Sequence, residues 1–442
     1  MIESDNQARP GGTGRRISVI GAGYVGLPTA VVLSHRGHFV TVAERDEERL
    51  REIQAGNSSR SEQGLEDLIE EGIAGGRLRF VDDAADAVAE AEFVFLCVET
   101  PQAPDGSADL TSITRAAKQI ASRLAPGAVI ANKSTVPLGT VGLIEQLIGR
   151  TDVAVVSNPE FLREGSAIAD SLNPDRVVVG ADDRDAARRV ARLFCGPEVP
   201  VVITDTTTSE LIKYASNAFL ATKLTFVNTM VSMCEEVGAD ASDLLLGMGY
   251  DKRIGFEFLH PGPGWGGSCL PKDTSALVAI ANAAGSNVGI VRAAIAGNED
   301  QLDRVTAKIR AAAGGDLQGR AIGVLGLSFK ANTNDRRNSP AVSITKRLVH
   351  EGAIVRAFDP TVHSENTHDQ DLQHLTVVDS PYSAITGAYT VVVLTEWPEF
   401  KDLDFSKMLE LVARPAIVDA RNYLDVDALI RLGFTYSCIG RK

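Results

Sequence analysis

Short apolar runs alternate with helix-length segments through most of the chain. From Arg16, "RISVIGAGYVGLPTAVVLSHRGHFVTVAERD" reads as strand, glycine turn, helix and strand. The runs "AEFVFLCV", "AVIANKST", "VAVVSNP" and "RVVVGA" supply further strands, with helix-length segments between them. Strands that alternate with helices predict a parallel, doubly wound sheet, because the crossover helices must cover its faces. Much later the same order returns. "GRAIGVLGLSFK" leads through "SPAVSITKRLVHEG" to "AIVRAFDP", and "YTVVVLTEW" and "PAIVDARN" add strands.

Between these halves the segment from Ser209 to Asp240 carries apolar residues at helical spacing and no proline, which predicts one long connecting helix. Such a helix often supplies a subunit interface, so a homodimer through it is expected. The fold class that follows is α/β: two Rossmann-like doubly wound parallel-sheet domains joined by a long central helix. The expected organisation is a disordered polar tail over 1–15, a dinucleotide-binding domain over 16–205, a central helical and dimerisation domain over 206–305, and a second Rossmann-like domain over 306–442. The turn of the second half lacks the full GxGxxG and need not bind a dinucleotide.

Composition narrows the function. At 442 residues the chain is too long for one core. Its 44% hydrophobic and 23% charged residues are those of an ordinary soluble protein. A formal net charge of −14 argues against nucleic-acid or anionic-membrane partners. Arg15 and Arg16 precede an uncharged run from Ile17 to Leu33, but its glycines, its proline and its length argue against a signal or a membrane span. A cytoplasmic location is therefore expected. The five cysteines show no CxxC or CxxH spacing, so no metal site or disulfide framework is expected. Cys97, in an apolar run, and Cys234, on a helical segment, read as buried thiols.

Two stretches carry chemistry. In "GAGYVG", Gly21 makes the tight turn, Gly23 lets backbone approach a pyrophosphate, and Gly26 permits close helix packing. Glu44, at the next strand end, is placed to accept hydrogen bonds from a ribose and would repel a 2′-phosphate, which favours NAD over NADP. Arg45 beside it weakens that preference. The second stretch is "HPGPGWGGSCLPKDT", where Cys269 stands among glycines with Lys272 and Asp273 just behind. A nearby ammonium favours a thiolate, and an aspartate can handle a proton or orient water. A thiolate adds to an aldehyde to give a thiohemiacetal. Loss of hydride to NAD⁺ makes a thioester, which water hydrolyses. His260 offers a competing Cys–His pair, but nine residues of glycine-rich loop fix no geometry for it. A packed, inert thiol in a structural turn is the plain alternative.

With these motifs in view, the chain resembles the UDP-glucose/GDP-mannose dehydrogenase family from about Arg16 to its C-terminus. "STVPLGT", "SNPEFLREGSAIADSLNPDRVVVG", "ELIKYASNAFLATK", "GGSCLPKD", "GLSFKANTNDRRNSP", "LTEW" and "VDARN" carry the resemblance. It implies an NAD-dependent, four-electron oxidation of a nucleotide sugar's C6 hydroxymethyl to a carboxylate. Cys269 matches the family's nucleophile. Lys213 and Asn217 match residues that stabilise oxyanion character at C6, and their spacing of four puts both on one helical face. Asp273 and Thr135 match the pair that positions a water or takes the alcohol proton, and Glu160 the residue assigned to thioester hydrolysis. For NAD, the resemblance implies the turn with Tyr24 and Val25, then Glu44, Arg49, Thr100, Thr135, Glu164, Lys272 and Arg337. For the sugar nucleotide it implies Glu160, Phe161, Leu162, Arg163 and Glu164, with Lys213, Asn217 and Arg253. It adds Phe258, Leu259, His260, Pro261, Gly262, Gly266, Lys330 and Arg421.

The chain also departs from the family pattern. Glu99 stands for the usual glycine before "TP", "SRSEQG" lacks a proline, Trp265 replaces a tyrosine or phenylalanine, and Asn334 and Ala420 break two short motifs. None touches the catalytic set. "FLREGSAIADSLNPDRVVVG" is most similar to the glucose branch, so UDP-glucose is the expected substrate. TDP-glucose, GDP-mannose and UDP-N-acetyl-mannosamine are the alternatives, and a non-catalytic dinucleotide-binding protein is the distant one.

Overall fold

The computed structural model describes residues 14–58, 62–103, 106–196, 198–365 and 369–441. Of the tail expected over 1–15, only Gly14 and Arg15 lie among them. The chain folds as two compact units, one ending at Lys213 and the other beginning at Tyr214.

The first unit is built on strands β1 (Arg16–Ile20), β2 (Phe39–Ala43), β3 (Leu78–Val81), β4 (Phe93–Leu96), β5 (Val129–Asn132), β6 (Ala154–Ser157), β7 (Val177–Gly180) and β8 (Val201–Thr204). Their order across the sheet is β3-β2-β1-β4-β5-β6-β7-β8. The first six run parallel, and the order reverses between β1 and β4. At such a reversal the connections leave to opposite faces and open a crevice at the strand ends. β1, β4 and β5 are buried on both faces, which is why they read as unbroken apolar runs. The wholly parallel expectation fails at one junction. β7 meets β6 only through Ser157 and Gly180, and antiparallel. The 158–176 connection contains one short helix, Ala167–Leu172, and not the long crossover a parallel return needs. Asn158 secures the junction, its Nδ2 donating to the Val178 carbonyl at 2.8 Å.

The second unit holds β9 (Ala321–Leu325), β10 (Ile354–Phe358), β11 (Thr376–Val377), β12 (Thr390–Val393), β13 (Ala416–Asp419) and β14 (Thr435–Cys438). They form one parallel sheet in the order β11-β10-β9-β12-β13-β14. This repeats the spatial sequence of the first six strands, so the recurrence read from the sequence is a repeat of topology.

The long helix runs from Thr206 to Val237. Asp205 caps it, its carboxylate accepting from the Thr208 N–H at 2.8 Å and from the Thr208 hydroxyl. Gly238, at φ 78°, ends it, and its N–H and that of Ala239 both donate to the Cys234 carbonyl. Val227, Val231 and Cys234 on this helix pack into the core of the second unit. Among the described residues no helix is long and apolar enough to cross a membrane.

Candidate active site

The glycine turn sits at the C-terminal end of β1. Gly21 adopts φ 98°, and a Cβ there would come within 2.8 Å of the Cys97 carbonyl oxygen. A Cβ at Gly26 would overlap the Gly21 carbonyl oxygen, so the helix can approach the turn only through glycine. At Gly23 a Cβ would meet nothing within 4 Å, so that face is open. Glu44 is buried at the end of β2, where its carboxylate accepts from the Ala22 N–H at 3.1 Å and the Asp46 N–H at 3.0 Å. Arg49 ion-pairs with Glu44 at 3.3 Å. An open glycine face beside a fixed carboxylate fits the pyrophosphate and ribose of a dinucleotide. Thr100 donates from its hydroxyl to the Thr135 carbonyl at 2.8 Å, which joins two of the expected NAD positions across β4 and β5.

Two of the sequence's irregularities turn out to be partners. Arg45 lies 2.7 Å from Glu99, the acid that replaces the usual glycine. The charge that weakened the case for NAD is thus opposed by the residue that departs from the family pattern.

Beyond the end of β6, the segment 158–166 carries Glu160 into a buried position. Its Oε1 accepts from Lys213 Nζ at 2.8 Å, and the same ammonium donates to the Glu160 carbonyl at 2.8 Å. Its Oε2 accepts from the Leu162 N–H at 2.6 Å. Burial raises the carboxyl's pKa, but the Lys213 charge and hydrogen bond, the Leu162 N–H and the Lys133 charge outweigh it. Glu160 is held below its ordinary value. Phe161 lies under the Arg176 guanidinium, 3.7 Å from ring centroid to Cζ. The exposed Arg163 is tied to Asp170 at 2.6 Å. Glu62 docks onto this segment, accepting from the Gly165 N–H at 2.5 Å and the Ala167 N–H at 3.0 Å. Glu62 lies in the "SRSEQG" stretch, which showed no role for it, since its partners lie about a hundred residues on.

The other residues expected to carry catalysis, Asn217, Cys269 and Asp273, lie in the second unit. Cys269 is half-buried and occupies the N-cap of the helix Leu270–Ala283. A helix N-terminus favours an anion, so this position suits a thiolate. Asp273, on the first turn, is buried, and its Oδ2 accepts from Asn217 Nδ2 at 2.5 Å. Lys272 Nζ stands 3.9 Å from Asp273 Oδ1. All five cysteines are thiols and form no disulfide. Burial pushes Cys97 up to about 12, while the Lys133 charge opposes the shift, and this thiol is inert at neutral pH.

The expected substrate residues of the second unit also cluster. Arg421 donates from Nη2 to the Phe329 carbonyl at 2.7 Å, pairs with Glu396 at 3.0 Å, and lies 3.3 Å from where a Gly262 Cβ would stand. Lys330 follows Phe329 and reaches over its ring. A Cβ at Gly266 would overlap the Asn338 carbonyl oxygen. Phe258 adopts φ 58°, an uncommon conformation for a bulky residue and one concentrated at ligand sites. Leu259 is buried, Pro261 is half-buried and His260 is exposed. Arg253 pairs with Asp251 at 2.6 Å, and Arg337 with Asp335 at 2.6 Å.

Family comparison decides what this arrangement belongs to. Residues 15–196 match the NAD binding domain of the UDP-glucose/GDP-mannose dehydrogenase family, 207–300 its central domain, and 323–426 its UDP binding domain. The chain belongs to this family. It is 44% identical over 436 residues to the UDP-glucose 6-dehydrogenase of Rhizobium meliloti (strain 1021), covering 96% of this chain and 99% of that one. It is 42% identical to the UDP-glucose 6-dehydrogenase YwqF of Bacillus subtilis (strain 168), covering 96% and 98%. The structure of a UDP-glucose dehydrogenase from Pyrobaculum islandicum superposes with a TM-score of 0.89 at 34% identity, over 98% of this chain and all of that one. The resemblance read from the motifs, the two-sheet fold and the NAD expectation are borne out. As a family member the chain is an NAD-dependent dehydrogenase with a nucleotide-binding second half.

Proposed function

We propose that this dehydrogenase oxidises UDP-glucose at C6 to UDP-glucuronate, with Cys269 as nucleophile. The observation that carries the reading is the placement of Cys269 at a helix N-cap, one turn before an aspartate that is hydrogen-bonded to Asn217. A bare structural turn has no use for that set. NAD⁺, when bound at the glycine turn, supplies the acceptor for each hydride. The substrate hydroxyl loses its proton to Asp273 or to a water held by Thr135 as C6 gives up its first hydride. The resulting aldehyde takes the Cys269 thiolate at C6, and the C–S bond leaves an alkoxide. Lys213 and Asn217, one turn apart on the same helix, offer an ammonium and an amide to that oxygen. Loss of the second hydride gives a thioester. Water, deprotonated by the ionised Glu160 carboxylate, then releases the carboxylate and returns the thiolate.

The substrate set is proposed on the same footing. Lys330 and Arg421 supply cations for a diphosphate, offsetting the acidic charge of the whole chain. Identity above 40% to two UDP-glucose 6-dehydrogenases over nearly the whole chain supports glucose as the sugar. NADH formation should be compared for UDP-glucose, TDP-glucose, GDP-mannose and UDP-N-acetyl-mannosamine. UDP-glucose is expected to give the highest kcat/KM, and faster turnover of GDP-mannose would overturn the assignment.

A homodimer through the long helix, located in the cytoplasm, completes the proposal. Phe219, Phe226 and Met233 recur every seven residues on that helix and are 69%, 49% and 56% exposed, with Val237 beyond them. A heptad stripe of large apolar side chains left in water fits a second copy of the helix.

A further inference from the structure

The loop that presents Cys269 contains Gly262, Gly264, Gly266 and Gly267 within six residues. Glycine loses more conformational freedom on ordering than any other residue and brings no side chain with which to anchor itself. A nucleophile at the end of such a loop needs to be fixed from outside.

The neighbouring helices provide that fixing through buried polar side chains. From the long helix, Asn228 Oδ1 accepts from the Gly262 N–H at 2.9 Å. From the helix Gly289–Ala312, Gln301 Nε2 donates to the Gly262 carbonyl at 2.8 Å. Asn298, on the same helix, pairs twice with one residue. Its Oδ1 accepts from the Trp265 N–H at 2.8 Å and its Nδ2 donates to the Trp265 carbonyl at 3.0 Å. The Trp265 indole N–H donates to Thr225 Oγ1 at 2.8 Å, and that hydroxyl donates to the Ala294 carbonyl at 3.0 Å. Both backbone groups of Gly262 and of Trp265 are thus read by carboxamides, much as a neighbouring strand would read them. Gly264 belongs to the same fit. It adopts φ 133°, and a Cβ there would come within 3.0 Å of Asn298 Oδ1 and 3.3 Å of Leu302.

We propose that Asn298 is a positioning residue for the Cys269 thiol, acting through this amide clamp on the glycine loop; the proposal rests on the reading of Cys269 as the nucleophile. Removing the carboxamide leaves the buried N–H and C=O of Trp265 without partners, and the loop shifts to find others. A displacement of about 1 Å at a reacting atom costs on the order of 100-fold in rate.

The test uses the full chain carrying Asn298→Ala, with iodoacetamide as probe and mass spectrometry of the Cys269 peptide as readout. The alkylation rate of Cys269 is expected to change by at least about fivefold, since reactivity follows access and local charge. The kcat with UDP-glucose should fall by roughly 100-fold, while the Kd for NAD⁺ stays at its wild-type value. An alkylation rate and kcat within about twofold of wild type would overturn the proposal, even with a lowered thermal midpoint, and would make Asn298 a packing residue. Where that variant does not fold, Thr225→Val decides. It keeps the shape and removes the hydroxyl that accepts from the indole N–H and donates to the Ala294 carbonyl, and a kcat about tenfold lower is expected, with an unchanged kcat overturning the clamp. The alkylation readout needs no sugar. Altered alkylation in a protein that oxidises no nucleotide sugar therefore supports the clamp and sinks only the substrate assignment.

Discussion

Replacing Lys213 by methionine should destabilise the first unit in a pH-dependent way. In the wild type the Lys213–Glu160 pair is buried, with side chains 5% and 7% exposed and 2.8 Å between charged atoms. Glu160 sits below its ordinary pKa although burial alone would raise it. A group with a depressed folded pKa stabilises the fold above its unfolded value, and that contribution is lost as the pH falls through the folded one. Lys213→Met removes the largest opposing influence and leaves a buried carboxylate with the Leu162 N–H and a more remote Lys133. Breaking one side of a buried pair costs about 3–5 kcal/mol. In a unit of this size that lowers the thermal midpoint by roughly 10 °C. The orphaned carboxyl should then titrate well above its usual range, because burial disfavours its charge. Midpoints of wild type and variant should be compared near pH 8 and near pH 6, with the deficit several degrees smaller at about pH 6. A deficit that is equal at the two pH values, or below about 1 kcal/mol, would refute the picture of a stranded charge.

Three further outcomes can be checked independently. Glu99→Gly should release Arg45 and tighten NADP⁺ binding by up to about fivefold at low salt, the limit for an exposed pair. The gain should vanish at high salt, and fluorescence titration with no tightening at low salt would sink the pairing as a selectivity device. Phe226→Glu should convert a dimer to monomer in sedimentation equilibrium, since each buried phenylalanine supplies about 1.5–3 kcal/mol; a variant that sediments like the wild type would place the interface elsewhere. With iodoacetamide near pH 8, the wild-type protein should be labelled at Cys269 well before Cys97, whose thiol burial holds at about 12. Labelling of Cys97 first would contradict the structure around both.

Much of the fold was legible because burial on both sheet faces leaves unbroken apolar runs. β1, β4, β5, β6 and β7 were each found that way, and the long helix lay within three residues of its expected ends. The short strands β3, β8, β11 and β14 escaped, being four residues or fewer, with β3 and β14 broken by polar or charged residues and β11 only two residues long. The antiparallel contact of β7 escaped for another reason: a single residue pair leaves no period in the sequence. At the site, the glycine turn and the cysteine loop with Cys269, Lys272 and Asp273 could be read from local spacing, whereas Lys213 and Asn217 came only with the family resemblance. Contacts made across the chain could not. Arg45 and Glu99 meet over 54 residues, and Asn298 meets Trp265 over 33. Neither end of those pairs signals the other until the fold brings them together.

The proposed chemistry requires one sulfur to carry the sugar through two oxidations. With UDP-glucose limiting and NAD⁺ in excess, the NADH formed should be about two per sugar consumed. No aldehyde should be captured by an added carbonyl trap, and Cys269→Ala should form no acid. One NADH per sugar with trapped aldehyde, or full acid formation by the alanine variant, would contradict it.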